Sequence, residues 1–209
     1  ISNIYKIQDD IIKAKEYISD AENIIRLHYD TNTILYAEVL HVKGSISLNQ
    51  SDNTKSINFF NRCIDLKKSI TGKNDTTLAK SYYNIGTNYF YLGNYDRSLN
   101  YYKKALENCL LKANKFNADI ADYYQGIGII YSMQSKNDSA VYYLVNSLDI
   151  KKKTLAENSP SLAQAYSNVG FLLLKNGDIE NANNYFDLAE IIYIDNFGNR
   201  YIKLGGIYQ

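Results

Sequence analysis

The sequence predicts an all-α fold in which antiparallel helix hairpins are stacked one after another. Three observations predict it. Glycine recurs at a constant interval, at Gly44, Gly86, Gly128 and Gly170, which defines a 42-residue period. Small and large apolar residues stand at fixed distances from each glycine, and turn-forming residues divide each repeat into two halves. A single proline in 209 residues agrees with this, since proline interrupts helices.

The first half of each repeat predicts a helix with one apolar stripe. An alanine stands seven residues before each glycine, at Ala37, Ala79, Ala121 and Ala163. A large residue stands four before it, at Leu40, Tyr82, Tyr124 and Tyr166. Spacings of three, four and seven place these residues on one helical face. Glycine inside a helix costs about 1 kcal/mol relative to alanine. Its recurrence therefore predicts a close approach of the neighbouring helix.

The second half of each repeat predicts the facing helix. Small residues stand 12 after each glycine, at Ser56, Ser98, Ala140 and Ala182, and 19 after it, at Cys63, Ala105, Ser147 and Ala189. Aromatic residues stand 15 after it, at Phe59, Tyr101, Tyr143 and Tyr185. The small residues predict contact with the first helix, and the aromatics are expected to fill the gap between hairpins. One such hairpin cannot bury its apolar face alone, so stacking must complete the core.

The same spacing sets the expected domain organisation, a single array over 1–209 with about ten helices. Turn signals such as Gly93-Asn94 separate repeats of about 34–75, 76–117, 118–159 and 160–197. Ala14 and Ala21 fit the second-helix columns and predict a partial repeat over 1–30. First-helix features recur at Tyr201, Leu204, Gly205 and Tyr208, where Gly205 follows Gly170 at a shorter interval than the other glycines keep. They predict the start of a further repeat over 198–209, in a fragment of a longer protein.

Composition excludes several classes of function. A formal net charge of +1 argues against nucleic-acid and membrane-surface binding, because both need a basic face. No apolar run is long enough to cross a bilayer. Two cysteines cannot build a disulfide framework or a four-ligand metal site, and Cys63 and Cys109 are expected to be packing residues. We therefore expect no cofactor and no metal. The cytoplasm is the expected compartment, with the periplasm open if a signal was removed.

The repeat resembles the tetratricopeptide repeat (TPR) family. The second repeat matches best, through Tyr82, Ile85-Gly86, Tyr89, Ser98 and Ala105; the first departs most, with Lys43 and Ser47 at usually apolar and Tyr positions. The 42-residue period is similar to the longer class found in kinesin light chains and in bacterial multi-repeat proteins. The resemblance covers nearly the whole chain and implies a right-handed α-solenoid.

The resemblance also implies a function: a non-catalytic scaffold that binds a peptide or partner protein on the concave face, which first helices line. In the family, an Asn two residues before the glycine often holds the ligand backbone, and Asn84 and Asn168 match, whereas Val42 and Gly126 do not. Further positions expected on this face are Lys80, Tyr83, Thr87, Tyr91, Gln125, Met133, Gln164, Ser167 and Lys175. Tyr83 and Gln125 stand where a clamp for chaperone tails would carry charge, which argues against that ligand.

Two alternatives follow from the same pattern. In bacteria such arrays often precede a CHAT-type caspase-like protease or a sensor histidine kinase, so this segment could regulate an adjacent domain of the same chain. Exposed end faces could instead promote homo-oligomers. Lysines recur on second helices, at Lys67-Lys68, Lys103-Lys104 and Lys151–Lys153. We expect them to be solvated charges near helix C-termini, the alternative being a basic stripe for an acidic partner.

Overall fold

The computed structural model of the protein describes residues 2–72, 75–111 and 118–198, with side chains from residue 11 onward. Within these ranges the chain is helical and contains no strand. It divides into two compact units, Ile1–Leu111 (unit 1) and Lys112–Gln209 (unit 2).

Unit 1 contains two complete helix hairpins preceded by one further helix. Its α-helices are α1 (Ser2–His28), α2 (Ile34–Asn49), α3 (Asn53–Thr71), α4 (Ala79–Tyr91) and α5 (Tyr95–Leu110). A short 3₁₀ turn, Thr76–Leu78, leads into α4. Helix α2 pairs with α3 and α4 with α5, while α3 packs on α4. Each glycine-containing first helix of unit 1 thus pairs with the second helix that follows it in sequence.

Unit 2 repeats the same plan with two hairpins. Its helices are α6 (Ala118–Met133), α7 (Asn137–Thr154), α8 (Pro160–Lys175) and α9 (Ile179–Phe197). Pro160 occupies the first turn of α8, where its missing N–H costs no hydrogen bond. The expected further repeat, with Tyr201, Leu204, Gly205 and Tyr208, lies outside the described residues.

The turn inside each hairpin has one residue with a positive φ, and these residues keep the same period as the helical glycines. They are Ser51 (φ 59°), Gly93 (71°), Ser135 (59°) and Gly177 (85°). Glycine adopts this region without steric cost, whereas serine is less favoured there. Asp52, Asn94 and Asp178 follow this turn and accept a hydrogen bond from a backbone N–H in the first turn of the next helix.

The recurring glycine lets the second helix of each hairpin place a large side chain against the first helix. A Cβ on Gly86 would lie 2.6 Å from the ring of Tyr102, and one on Gly170 would lie 2.7 Å from Phe186. Both distances are below any normal van der Waals contact. The expected close approach is therefore confirmed, and the residue that fills the space stands 16 after the glycine.

The aromatic column stacks on tyrosines of its own hairpin. The rings of Tyr89 and Tyr101 have centroids 5.6 Å apart, and those of Tyr131 and Tyr143 are also 5.6 Å apart. In unit 1, Tyr101 also packs against a core cluster that spans α3 and α4. These rings thus stabilise the hairpin as well as the seam between hairpins.

Glu22 fixes α1 to α2. Its carboxylate accepts hydrogen bonds from Arg26 (2.9 Å) and from the hydroxyl of Tyr36 (3.1 Å), and Lys43 also donates to it. Burial alone would raise the pKa of Glu22, but these hydrogen bonds outweigh it and lower the pKa to about 2. The carboxylate therefore stays charged in the folded protein at neutral pH.

Candidate partner-binding surface

In unit 1, the residues expected to contact a partner lie along one side of α4, which we call the α4 face. Lys80 and Tyr91 are exposed, whereas Tyr83, Asn84 and Thr87 are half-buried. The ring of Tyr83 lies 5.1 Å from that of Tyr102, and the hydroxyl of Thr87 donates to the carbonyl of Tyr83 at 3.1 Å. The α4 face is therefore held in place by its own contacts.

A buried asparagine that the sequence analysis did not single out supports the α4 face. Asn88 is completely buried, and its Nδ2 donates to the carbonyl of Asn84 (2.8 Å) and to Oγ of Ser56 (2.9 Å). The signal was present in the sequence, because the other hairpins carry isoleucine or leucine at this position (Ile46, Ile130, Leu172). A polar residue in an apolar column marks a site with a specific hydrogen-bond partner.

In unit 2, the equivalent surface lies along α8, and we call it the α8 face. Gln164 is exposed, while Ser167 and Asn168 are half-buried. The hydroxyl of Ser167 donates to the carbonyl of Ala163 at 3.1 Å. The side-chain nitrogen of Asn168 is enclosed, and no described residue accepts a hydrogen bond from it. An enclosed N–H₂ group without an acceptor costs free energy, and Asn88 Oδ1 on α4 is enclosed without a donor in the same way.

Two exposed apolar residues extend the α8 face. Phe171 and Leu174 are each nearly half exposed, and the Phe171 ring packs edge-on against Phe186. Neither was expected at a contact surface, because an apolar run in a first helix is more typical of the core. Lys175 is exposed as expected, but its amine donates to the carbonyl of Ser132 and to Oγ of Ser135. Lys175 thus ties α8 to the C-terminal end of α6.

On α6, the structure separates the two residues expected to contact a partner. Met133 is exposed, in agreement with a role at the surface. Gln125, by contrast, is buried, and its Oε1 accepts a hydrogen bond from the amine of Lys151 at 2.8 Å. The expectation that Gln125 lies exposed on the first-helix side is wrong. Its amide oxygen serves instead to satisfy a buried cation.

Two of the second-helix lysines are buried rather than solvated. Lys151 is 2% exposed, and its amine also contacts Asp122 (2.9 Å) and Ser161 (2.9 Å). Lys67 is 3% exposed and pairs with Glu38 at 2.6 Å. Each lysine pairs with a half-exposed carboxylate on the first helix of its own hairpin. The expectation of solvated charge is therefore wrong for these two, and neither is available to a basic stripe.

A small polar cluster joins α2, α3 and α4. Nδ1 of His41 lies 2.9 Å from Oγ of Ser81, and Sγ of Cys63 lies 3.6 Å from the same atom. Burial lowers the pKa of His41 and raises the pKa of the Cys63 thiol. Ser81 and Cys63 are completely buried. The packing role expected for Cys63 and Cys109 is confirmed, since both are buried and not disulfide-bonded.

Among the described residues, no group of three or more His, Cys, Asp and Glu side chains is arranged to hold a metal ion. None of the described helices combines the length and the apolar character that crossing a membrane requires.

Comparison with known families identifies the repeat. The tetratricopeptide repeat model matches residues 35–110 and 77–153, which together span 35–153, more than half of the chain. The chain belongs to the tetratricopeptide repeat family. This confirms the fold expected from the glycine spacing, an all-α array of helix hairpins.

Individual proteins resemble parts or all of the chain. Protein HGV2 of Halocynthia roretzi is 29% identical over 99 residues, covering 43% of this chain and 19% of that protein. A putative kinesin light chain of Podosopora anserina, with nearly identical TPR-like repeats, superposes with a TM-score of 0.67 at 11% identity, covering 93% of this chain and 92% of that one. The Rap conjugation gene regulator of plasmid pLS20, solved in complex with the Phr* peptide, superposes with a TM-score of 0.73 at 17% identity, covering 99% of this chain and 56% of that one. The two structures support the fold, and the chain spans about a fifth of the length of HGV2.

Proposed function

We propose that this chain is a non-catalytic interaction scaffold that binds an extended peptide segment of a partner protein on its first-helix surfaces. Exposed Phe171 and Leu174 beside half-buried Asn168 on the α8 face carry this proposal, because exposed apolar area next to an amide is typical of an interaction site. The Asn168 side chain would turn outward to hydrogen-bond the backbone of a bound peptide. The resemblance to TPR proteins implies that these surfaces lie on the concave side, and the structure of the pLS20 Rap regulator in complex with the Phr* peptide supports a peptide as the ligand.

The neighbours of Asn168 suggest what the ligand presents. Phe171 and Leu174 offer exposed apolar area, while Gln164 offers an amide. A peptide with an apolar side chain beside its hydrogen-bonding backbone fits this combination. On the α4 face of unit 1, Asn84 is the equivalent of Asn168, and Lys80, Tyr83, Thr87 and Tyr91 lie on the same side of the helix.

A displayed library of random peptides, selected against the whole chain, tests the proposal. A selected peptide is then titrated against wild type, Asn168→Ala and Asn84→Ala by fluorescence anisotropy. We expect Asn168→Ala to weaken binding by about tenfold, because it removes one hydrogen bond in a desolvated site. Asn183→Ala, which removes an exposed asparagine of α9, is the matched control and should bind like wild type. Equal binding by all four proteins would show that the first-helix surfaces are not the site.

The second candidate, a regulatory segment that holds a protease or histidine kinase domain of the same chain, uses the same surfaces. Reading the gene on both sides of this segment tests it directly. Coding sequence for a catalytic domain beside the repeats would favour an internal partner, and its absence would leave a separate protein as the partner.

A further inference from the structure

Unit 2 contains a cleft of about 340 Å³ that lies between α7, α8 and α9, which we call the α9 cleft. Buried Leu162 and Ile192 form its base, and half-buried Tyr166 lines it. Leu188 and Ile191 of α9 stand at its mouth, where they are 45% and 58% exposed. None of the residues proposed above to bind a peptide lines this cleft.

The second hairpin of unit 1 has a more polar base at the equivalent place and a charged mouth. Counting back two repeats, Leu162 and Tyr166 correspond to Leu78 and Tyr82, whereas Ile192 corresponds to the buried Asn108. Leu188 and Ile191, however, correspond to Lys104 and Glu107.

The charged mouth is the rule in the other hairpins as well. Lys104 places its amine 5.0 Å from the ring centre of Tyr101, so the lysine covers an aromatic surface. The remaining two hairpins carry Arg62 with Asp65 and Asn146 with Asp149 at these positions. Only α9 replaces both polar residues by aliphatic ones, and exposed aliphatic pairs beside an apolar cleft are typical of an interaction site.

The charges at the mouth suggest what occupies the cleft. Lys152 and Glu157 both line it, so the patch carries one cation and one carboxylate and selects neither a basic nor an acidic partner. A surface that contains projecting side chains, a receiving cleft and both signs of charge is complementary to itself. That property is required of a two-fold symmetric interface, in which the same patch serves on both subunits.

We propose that the α9 cleft binds a second copy of this chain. Leu188 and Ile191 of each copy enter the cleft of the other, and Lys152 of each faces Glu157 of the other. Stable interfaces bury roughly 1,200 Å² or more, and a contact centred on two partly exposed side chains per copy buries less than that. The dimer is therefore weak, with a dissociation constant on the order of 100 µM.

Sedimentation velocity from about 10 µM to about 1 mM, a range that brackets this affinity, tests the proposal. The decisive variant is Leu188→Lys with Ile191→Glu, which installs the residues that unit 1 carries at the same positions. Both sites are exposed on a helix, so the fold is retained, and circular dichroism melting verifies this. We expect wild type to gain mass with concentration, and we expect the variant to associate at least roughly a hundredfold more weakly.

Ile179→Glu with Asn183→Lys is the matched control. It introduces the same two charges on exposed positions of α9 outside the cleft and should dimerise like wild type. A wild type that stays monomeric up to about 1 mM overturns the proposal and leaves the cleft to a partner of different sequence. Equal association by wild type and the cleft variant, or a loss of association in the control, also overturns it. Peptide binding through Asn168 is measured separately, so failure of one proposal does not affect the other.

Discussion

The two units use the same hairpin but join successive hairpins with different chemistry. In unit 1, α4 presents Ser81 and Asn88 to the preceding hairpin, and both are completely buried. In unit 2, α8 presents Ala165 and Leu172 at the equivalent positions, two repeats later, and both are almost completely buried. The packing geometry is the same in both units. The residues buried at the contact between successive hairpins, which we call the seam, are polar in unit 1 and apolar in unit 2.

The residues that the preceding hairpin places opposite these positions differ in the same way, because they are polar in unit 1 and apolar in unit 2. Asn88 donates to Ser56, and the hydroxyl of Ser56 donates to the carbonyl of Gly44 at 2.9 Å. In unit 2, the residue equivalent to Ser56 is Ala140, which packs with Leu172 in one apolar cluster. A repeat therefore tolerates a polar or an apolar seam provided that both sides change together, because a buried polar group needs its partner.

The largest expected effect comes from placing one of the two polar seam residues of unit 1 at the equivalent position of unit 2 without its hydrogen-bond partner. Leu172→Asn removes a buried aliphatic side chain and buries an amide opposite Ala140. We expect a loss of about 3 kcal/mol or more in the free energy of unfolding, measured by urea denaturation.

Adding Ala140→Ser to Leu172→Asn should recover part of that loss, since the serine supplies the partner that Ser56 supplies in unit 1. The expected coupling energy in a double-mutant cycle is about 1 kcal/mol. Additive effects of the two substitutions would contradict the idea that the seam residues change together.

A smaller effect distinguishes the glycines of the first hairpin in each unit. A Cβ on Gly128 would lie 2.7 Å from Leu144 Cγ and 3.1 Å from its backbone nitrogen, whereas the three atoms nearest to a Cβ on Gly44 all belong to the ring of Phe60, from 2.9 Å. A ring can shift more easily than backbone. We expect Gly128→Ala to cost about 1–3 kcal/mol in unfolding free energy, and Gly44→Ala to cost less. Equal or reversed costs would show that the Leu144 backbone adjusts freely.

The smallest effect is a pH dependence confined to unit 1. Burial lowers the pKa of His41 below its unfolded value of 6.5, with Lys67 and Lys80 acting in the same direction and Glu38 opposing them. As pH falls through 6.5, the unfolded chain takes up the proton before the folded chain does, so unit 1 should lose stability as the solution becomes acidic. Unit 2 has Gln125 at this position and should show no such loss from this site.

Hydrogen exchange, corrected for intrinsic rates, reports each unit separately and can test this difference. The variant His41→Gln carries the residue that unit 2 has at this position. In this variant the hydrogen-exchange protection of α2 and α4 should no longer fall as pH is lowered. An unchanged profile in that variant would assign the pH dependence to another group.

The candidate surface could be predicted only in outline. The glycine spacing identified the first helices, and the resemblance to TPR proteins supplied the residues expected on their concave side. Of these, Gln164 and Tyr91 are exposed and Asn168 is half-buried, and their contact with a partner stays a prediction. Neither the spacing nor the resemblance could reveal that Gln125 is turned inward, because its burial depends on Lys151, which lies on the next helix. The arrangement of all repeats into one array over 1–209 stays a prediction.

The sequence by itself determined the repeat, the class of fold and the positions of the close contacts. It could do so because helix periodicity and the absence of a Cβ at glycine are local properties that recur in every repeat. Only the tertiary structure decided which polar residues are paired. Lys67 and Lys151 are read as solvated charges in the sequence, yet each is buried beside a carboxylate on the facing helix. Whether a charge or an amide is stable inside the protein depends on a partner across the helix interface, and that partner is not encoded by local spacing.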